Sequence, residues 1–121
     1  MSNTKIFFPK CGEIWIVNFD PTEGSEIKKT RPAVVVSSDA LRYLPVKLVA
    51  PITEWDKKHE STFWRVKIEP NNLNNLNKVS AVDVLQLRCL DRSRFVNKKG
   101  VLSANLMGEI ASAIAAVIEY Q

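Results

Sequence analysis

The hydrophobic pattern opens at Glu13 to Asp20, a segment rich in β-branched and aromatic residues in which Ile14, Ile16, Val17 and Phe19 give both faces apolar groups. That pattern predicts a largely buried strand, ended by Pro21. Thr22 to Thr30 mixes Gly24, Ser25 and charges without a period, and reads as a loop of about nine residues, longer than most hairpin connections. Long loops of this kind often carry function. Pro32 can open a strand but cannot donate within one, and the continuous apolar run Ala33 to Val36 that follows predicts a central strand. Ser37, Ser38 and Asp39 offer capping oxygens for a short helical turn around Ala40 to Tyr43, and Val46 to Ile52 predicts a third strand with Thr53 at its end.

Thr62 to Glu69 alternates, with Phe63, Arg65 and Lys67 facing one way and Trp64, Val66 and Ile68 the other. This is the signature of a half-solvated strand, closed by Pro70. The asparagines of Asn71 to Asn77 predict a turn, and Ser80 to Leu90 returns to strand-like residues, for a sheet of roughly five or more strands. Ser103 is a natural N-cap. After it Leu106, Met107, Ile110, Ala113, Ile114, Val117 and Ile118 recur at three- and four-residue spacing, predicting an amphipathic C-terminal helix whose stripe packs on the sheet.

Composition narrows the class. A chain of 121 residues without repeats or linkers is expected to form a single domain, residues 1–121, and 45% hydrophobic with 25% charged residues excludes a disordered or membrane-embedded chain. The apolar run Ile110 to Ile118 is far shorter than the ~20 residues of a membrane span. Ile6, Phe7 and Phe8 are too short a stretch for a secretory signal, so a cytoplasmic location is expected. Cys11 and Cys89 are then expected to be reduced and structural, and neither stands at metal-ligand spacing. A net charge of +4 is compatible with a polyanionic partner without requiring one.

The informative stretch is GEIWIVNFDPTEGSEIKKTRPAVVVS, Gly12 to Ser37, in which a strand leads into a Gly-Ser-Glu loop and returns through Thr-Arg-Pro into a second strand. It resembles the N-terminal signature of the MazF/PemK toxins. The resemblance continues at Val49-Ala50-Pro51-Ile52-Thr53, at Asp83-Val84-Leu85-Gln86-Leu87-Arg88 and in the closing helix, and so spans nearly the whole chain. It implies a mainly β protein with helices, an SH3-like twisted β-barrel with a C-terminal amphipathic helix. It also implies a homodimeric endoribonuclease toxin, an mRNA interferase that cuts single-stranded RNA at short sequences and is neutralised by a cognate antitoxin; with no cluster of Cys, His or carboxylates at ligand spacing, no cofactor or metal is expected. Arg31 and Thr53 match the family's active-site positions. Ser25, Glu26, Lys28 and Lys29 match its RNA-binding loop.

The chemistry of these residues suits that role. The 2′-hydroxyl of RNA can itself attack the adjacent phosphorus, giving a 2′,3′-cyclic phosphate and a 5′-hydroxyl, so the protein must mainly stabilise charge. Arg31 offers an always-charged fork for phosphate oxygens and Thr53 one further hydrogen bond. The general base stays open: an arginine with a pKa above ~12 is a poor base, although the resemblance implies Arg31. Some relatives place an Arg-x-Asp pair where this chain has Asp83 and Leu85. His59, the one histidine, reads as an exposed loop residue.

Trp55 is a candidate for stacking on a base, Trp15 for the core, and Gln86 and Arg88 for contacts to bases or phosphates. Taken singly, each residue also has a plain reading, Arg31 as a surface ion pair and Thr53 as an ordinary strand residue. Two other functions compete. One is a CcdB-like toxin that binds DNA gyrase without nuclease activity; the other is a catalytically silent RNA-binding module.

Overall fold

The computed structural model describes residues 6–120. Its elements follow the hydrophobic pattern closely at the start. β1 (Glu13–Asn18) has Ile14, Trp15 and Val17 buried, which accounts for its apolar groups on both faces. β2 (Thr30–Val35) begins earlier than Pro32, because β1 pairs with it from Thr30 onward. Pro32 is tolerated inside it: the ladder to the next strand starts only at Ala33. Ser38 caps a 3₁₀ turn at Asp39–Leu41, its hydroxyl accepting from the Ala40 N–H. β3 (Val46–Glu54) runs beyond the expected end, so that Thr53 lies within the strand.

β4 is shorter than its alternation suggested, Arg65–Ile68, since Thr62 caps the 3₁₀ turn Lys57–Ser61 and the chain is still turning at Phe63 and Trp64. The strand-like stretch Ser80 to Leu90 is two strands, β5 (Ser80–Asp83) and β6 (Arg88–Asp91). Both run antiparallel to β3, one along its C-terminal end and one along its N-terminal half. Between them Asp83 accepts from the Leu85 N–H and caps a 3₁₀ turn at Val84–Gln86, which breaks the strand. β7 (Phe95–Val101) has no counterpart in the hydrophobic pattern. It pairs with β1 at the edge of the sheet and exposes Val96, Asn97 and Lys98.

The strand order is β4-β5-β3-β2-β1-β7, with β6 added on β3 and every pairing antiparallel. The outer strands β4 and β7 do not pair, so the sheet is open, not a closed barrel. α1 (Ala104–Val117) is capped by Ser103, whose hydroxyl accepts from the Leu106 N–H. One apolar cluster, including Ile14, Val34, Ala50, Ile52, Val82, Ile110 and Ala113, holds α1 against the sheet. Ile118 falls past the helix end and is exposed. A second cluster, with Trp15, Val17, Phe19, Ala33, Val35, Val49, Leu90 and Phe95, fills the opposite side of β1 and β2.

Alternation explains the division: Val34 serves the first cluster, while Ala33 and Val35 serve the second. Between β4 and β5 the asparagine-rich turn folds around Asn74, which is fully buried. Its amide donates to the Glu69 carbonyl at 2.9 Å and its oxygen accepts from the Asn71 and Leu76 N–H groups at 3.0 Å each. Cys11 and Cys89 are both exposed, not the interior residues a structural role would make them.

Candidate active-site cleft

β2 and β3 pair in a register that sets Ala33 opposite Pro51. Continued for two residues, that register would bring Arg31 and Thr53 together on one face, because side chains alternate. No ladder joins the strands there: Arg31 keeps its pairing with Val17 of β1 while Thr53 pairs with Ala81 of β5. The two strands part, and a cleft of about 660 Å³ opens with Arg31 and Thr53 in its lining.

One wall is the loop between β1 and β2. Gln86 straps it from the Val84–Gln86 turn, accepting from the Ile27 N–H at 3.3 Å and donating to the Ser25 carbonyl at 3.4 Å. Arg31 is exposed, and its Nε donates to the Lys28 carbonyl at 3.0 Å. That bond orients the guanidinium, and among the described residues its two Nη groups carry no hydrogen bond. At Lys29 the backbone turns through φ 66°, and its N–H donates to Asp20 Oδ1 at 3.0 Å, closing the loop base.

The other wall comes from the segment after β3 and from β4 and β5. Trp55 is half-buried, with the His59 ring edge-on at 5.6 Å and the Lys67 ammonium 5.3 Å from its centroid. Arg65 on β4 stands directly opposite Asp83 on β5, its Nε 3.9 Å from the carboxylate.

The charges of the lining balance. Arg31, Lys58 and Arg65 face Glu54, Asp56 and Asp83. The carboxylates are engaged: Glu54 with Lys78 at 3.2 Å, Asp56 with the Lys58 N–H at 3.0 Å, and Asp83 with Arg65 and the Leu85 N–H. Among the described residues neither the Nη groups of Arg31 nor the Lys58 ammonium has a hydrogen-bond or ion-pair partner, which leaves both able to grip an incoming anion. Among the described residues no group of three or more His, Cys, Asp or Glu is placed to hold a metal ion.

Of the residues singled out from sequence, Ser25, Arg31, Thr53, Trp55 and Gln86 line this cleft together. Glu26, Lys28, Lys29 and Arg88 do not. Glu26 and Arg88 border a neighbouring hollow of about 330 Å³, where Arg88 donates to the Phe19 carbonyl at 2.7 Å and so secures the loop from behind. Lys28 and Lys29 are exposed on the same loop. His59 is half-buried in the lining and not the exposed loop residue expected. Arg65, Asp56 and Asp83 were not among the expected site residues. Asp83 before Val-Leu carries an N-cap signal, but Arg65 becomes visible only once β4 is set beside β5.

A family model described as PemK-like, MazF-like toxin of type II toxin-antitoxin system matches residues 10–118. Endoribonuclease MazF of Staphylococcus epidermidis is 32% identical over 104 residues, 85% of each chain. Among solved structures, MazF from Deinococcus radiodurans superposes with a TM-score of 0.77 at 24% identity, covering 93% of this chain and 98% of that one. An endoribonuclease from a mycobacterial species, solved in complex with its cognate antitoxin, gives a TM-score of 0.74 at 16% identity over 93% and 97%. With the family model covering nearly the whole chain and a relative above 30% identity, this chain belongs to the PemK-like, MazF-like toxins of type II toxin-antitoxin systems.

Proposed function

We propose that this protein is an endoribonuclease that cleaves single-stranded RNA, acts as a homodimer and is neutralised by a cognate antitoxin. The observation that carries the reading is that Arg31 and Thr53 both line one open cleft. The staphylococcal relative bears the name of this activity, and the mycobacterial one was captured with its antitoxin.

In this scheme RNA lies in the cleft with a base against the half-buried Trp55 and a phosphate at Arg31. The 2′-hydroxyl gives its proton to water and attacks the neighbouring phosphorus, a pentacovalent centre with added negative charge forms, and the bond to the 5′-oxygen of the next nucleotide breaks as that oxygen takes up a proton from water. Arg31, held by Lys28 but with its outer nitrogens free, forks onto the phosphate oxygens as that charge grows. The Thr53 hydroxyl donates to the same centre. The internal nucleophile gains from proximity and is consumed into a 2′,3′-cyclic phosphate, leaving a 5′-hydroxyl on the other product.

The test is cleavage of a long RNA in the presence of chelator, with a matched oligonucleotide carrying one 2′-deoxy sugar 5′ of the mapped cut. The RNA should be cut and the deoxy substrate should bind but resist. Cutting of the deoxy substrate at the normal rate, or arrest by chelator, overturns the mechanism. RNA that is bound but never cut leaves the silent-module reading in its place.

A further inference from the structure

His59 is held in the cleft wall by a turn that fixes its ring. Its own N–H donates to the Asp56 carbonyl at 2.8 Å, and the Thr62 hydroxyl donates to its carbonyl at 2.7 Å. In return the Asp56 N–H donates to His59 Nδ1 at 3.1 Å, and this bond needs the Nδ1 lone pair. In the neutral ring the proton must then sit on Nε2, the nitrogen turned away from the cap, which bonds to no described residue.

That arrangement discriminates between the roles open to a histidine. A general base needs a lone pair on Nε2, and a general acid needs the doubly protonated ring. Either state puts a proton on Nδ1, pointing at the Asp56 N–H, and breaks the cap. Donation of the Nε2 hydrogen to an acceptor is the one role that leaves the turn intact.

We infer that His59 positions RNA by donating its Nε2–H to an oxygen of the substrate, a phosphate oxygen or a base carbonyl, and moves no proton in the reaction. The inference rests on the endoribonuclease reading above. Trp55 beside it supplies the stacking surface, so the two rings together form a recognition wall facing the Arg31 and Thr53 side of the cleft.

His59→Asn keeps an oxygen near the Nδ1 position for the Asp56 N–H but loses the donor at Nε2, and His59→Gln places an amide nitrogen near Nε2. Both are compared with wild type for kcat and KM on RNA and for Kd on the uncleavable deoxy oligonucleotide. KM and Kd of His59→Asn should rise about 3- to 10-fold, the loss of one hydrogen bond. The kcat–pH curve should keep its wild-type shape, and His59→Gln should recover part of the affinity. The Asn defect should disappear on the substrate that lacks the acceptor, whether a methylphosphonate in place of a phosphate or a base without its carbonyl.

A fall in kcat of about 100-fold or more in His59→Asn with loss of one limb of the pH curve overturns the inference and makes His59 a proton-transfer group. Unchanged KM and Kd, or a defect that persists on every altered substrate, overturns it also. Wild-type protein that cuts no RNA refutes the endoribonuclease reading itself; wild-type cleavage with an indifferent Asn variant refutes only the role of His59.

Discussion

At the scale of residues, stability and chemistry separate at Arg31. Its side chain is exposed and tied to the fold by one backbone carbonyl, so Arg31→Ala should leave unfolding within about 0.5 kcal/mol of wild type. The same change removes a charge aimed at the transition state and should lower kcat about 10²- to 10³-fold. Thr53→Ala should be milder, because it deletes a neutral donor. Urea titration and RNA cleavage on the same preparations check both, and near-normal turnover in Arg31→Ala would place the chemistry elsewhere. Arg31 and Thr53 were legible in the sequence because each sits in a short local motif. Arg65, Asp83 and His59 were not, since their meeting depends on the pairing of β4 with β5 and on a turn held by several local bonds among Asp56, Lys58, His59 and Thr62.

Among the elements, β7 was invisible to periodicity for a physical reason. Phe95 and Gly100 are its only buried residues, and the exposed lysine and asparagine between them are what protects an edge strand from pairing with another chain. Its place is secured from outside the pattern. A side chain at Gly100 would put Cβ 2.5 Å from the Leu73 carbonyl and 2.6 Å from that of Asn74, both backbone atoms of the asparagine turn. Gly100→Ala should therefore cost about 1–3 kcal/mol, read as a lower urea midpoint. An unchanged midpoint would mean that the turn yields freely.

The bond between β1 and β7 also carries a pH signature. Burial pushes the Glu13 carboxyl up, but the Lys10 N–H, the Lys98 ammonium at 2.9 Å and the Trp15 indole together hold it below its ordinary 4.5. A carboxyl lowered on folding stabilises fully above 4.5 and loses that contribution as pH falls through the lowered value. Wild type should thus exceed Glu13→Gln in stability near neutral pH, and the gap should close in acid. A gap independent of pH would show that charge is not what Glu13 contributes. The breaks in other elements share one cause: Asp83 and Thr62 offer capping groups that the local β-like composition masks.

For the molecule as a whole, the cleft of about 660 Å³ is the size of a site for one small ligand. An RNA recognised over several nucleotides needs more wall than one chain supplies, and two copies side by side would extend it. Light scattering at micromolar concentration should give twice the chain mass; an active, strictly monomeric protein would contradict the shared site. The general architecture was legible from strand spacing and the closing helix. The openness of the sheet was not, because closure depends on whether β4 and β7 meet, and neither strand's sequence encodes its distance from the other.

The lining of the cleft runs from Ser25 to Gln86, and its second wall requires β5, which follows the asparagine turn in the chain and pairs with β3. During translation, then, the first half of the chain can emerge from the ribosome with Arg31 and Thr53 already made and still have no place for RNA between them. A chain truncated before Asp83 should therefore cut no RNA, which a cleavage assay on the truncated protein checks. A chain cut short there would still carry Arg31 and Thr53 yet have no second wall to hold a substrate against them.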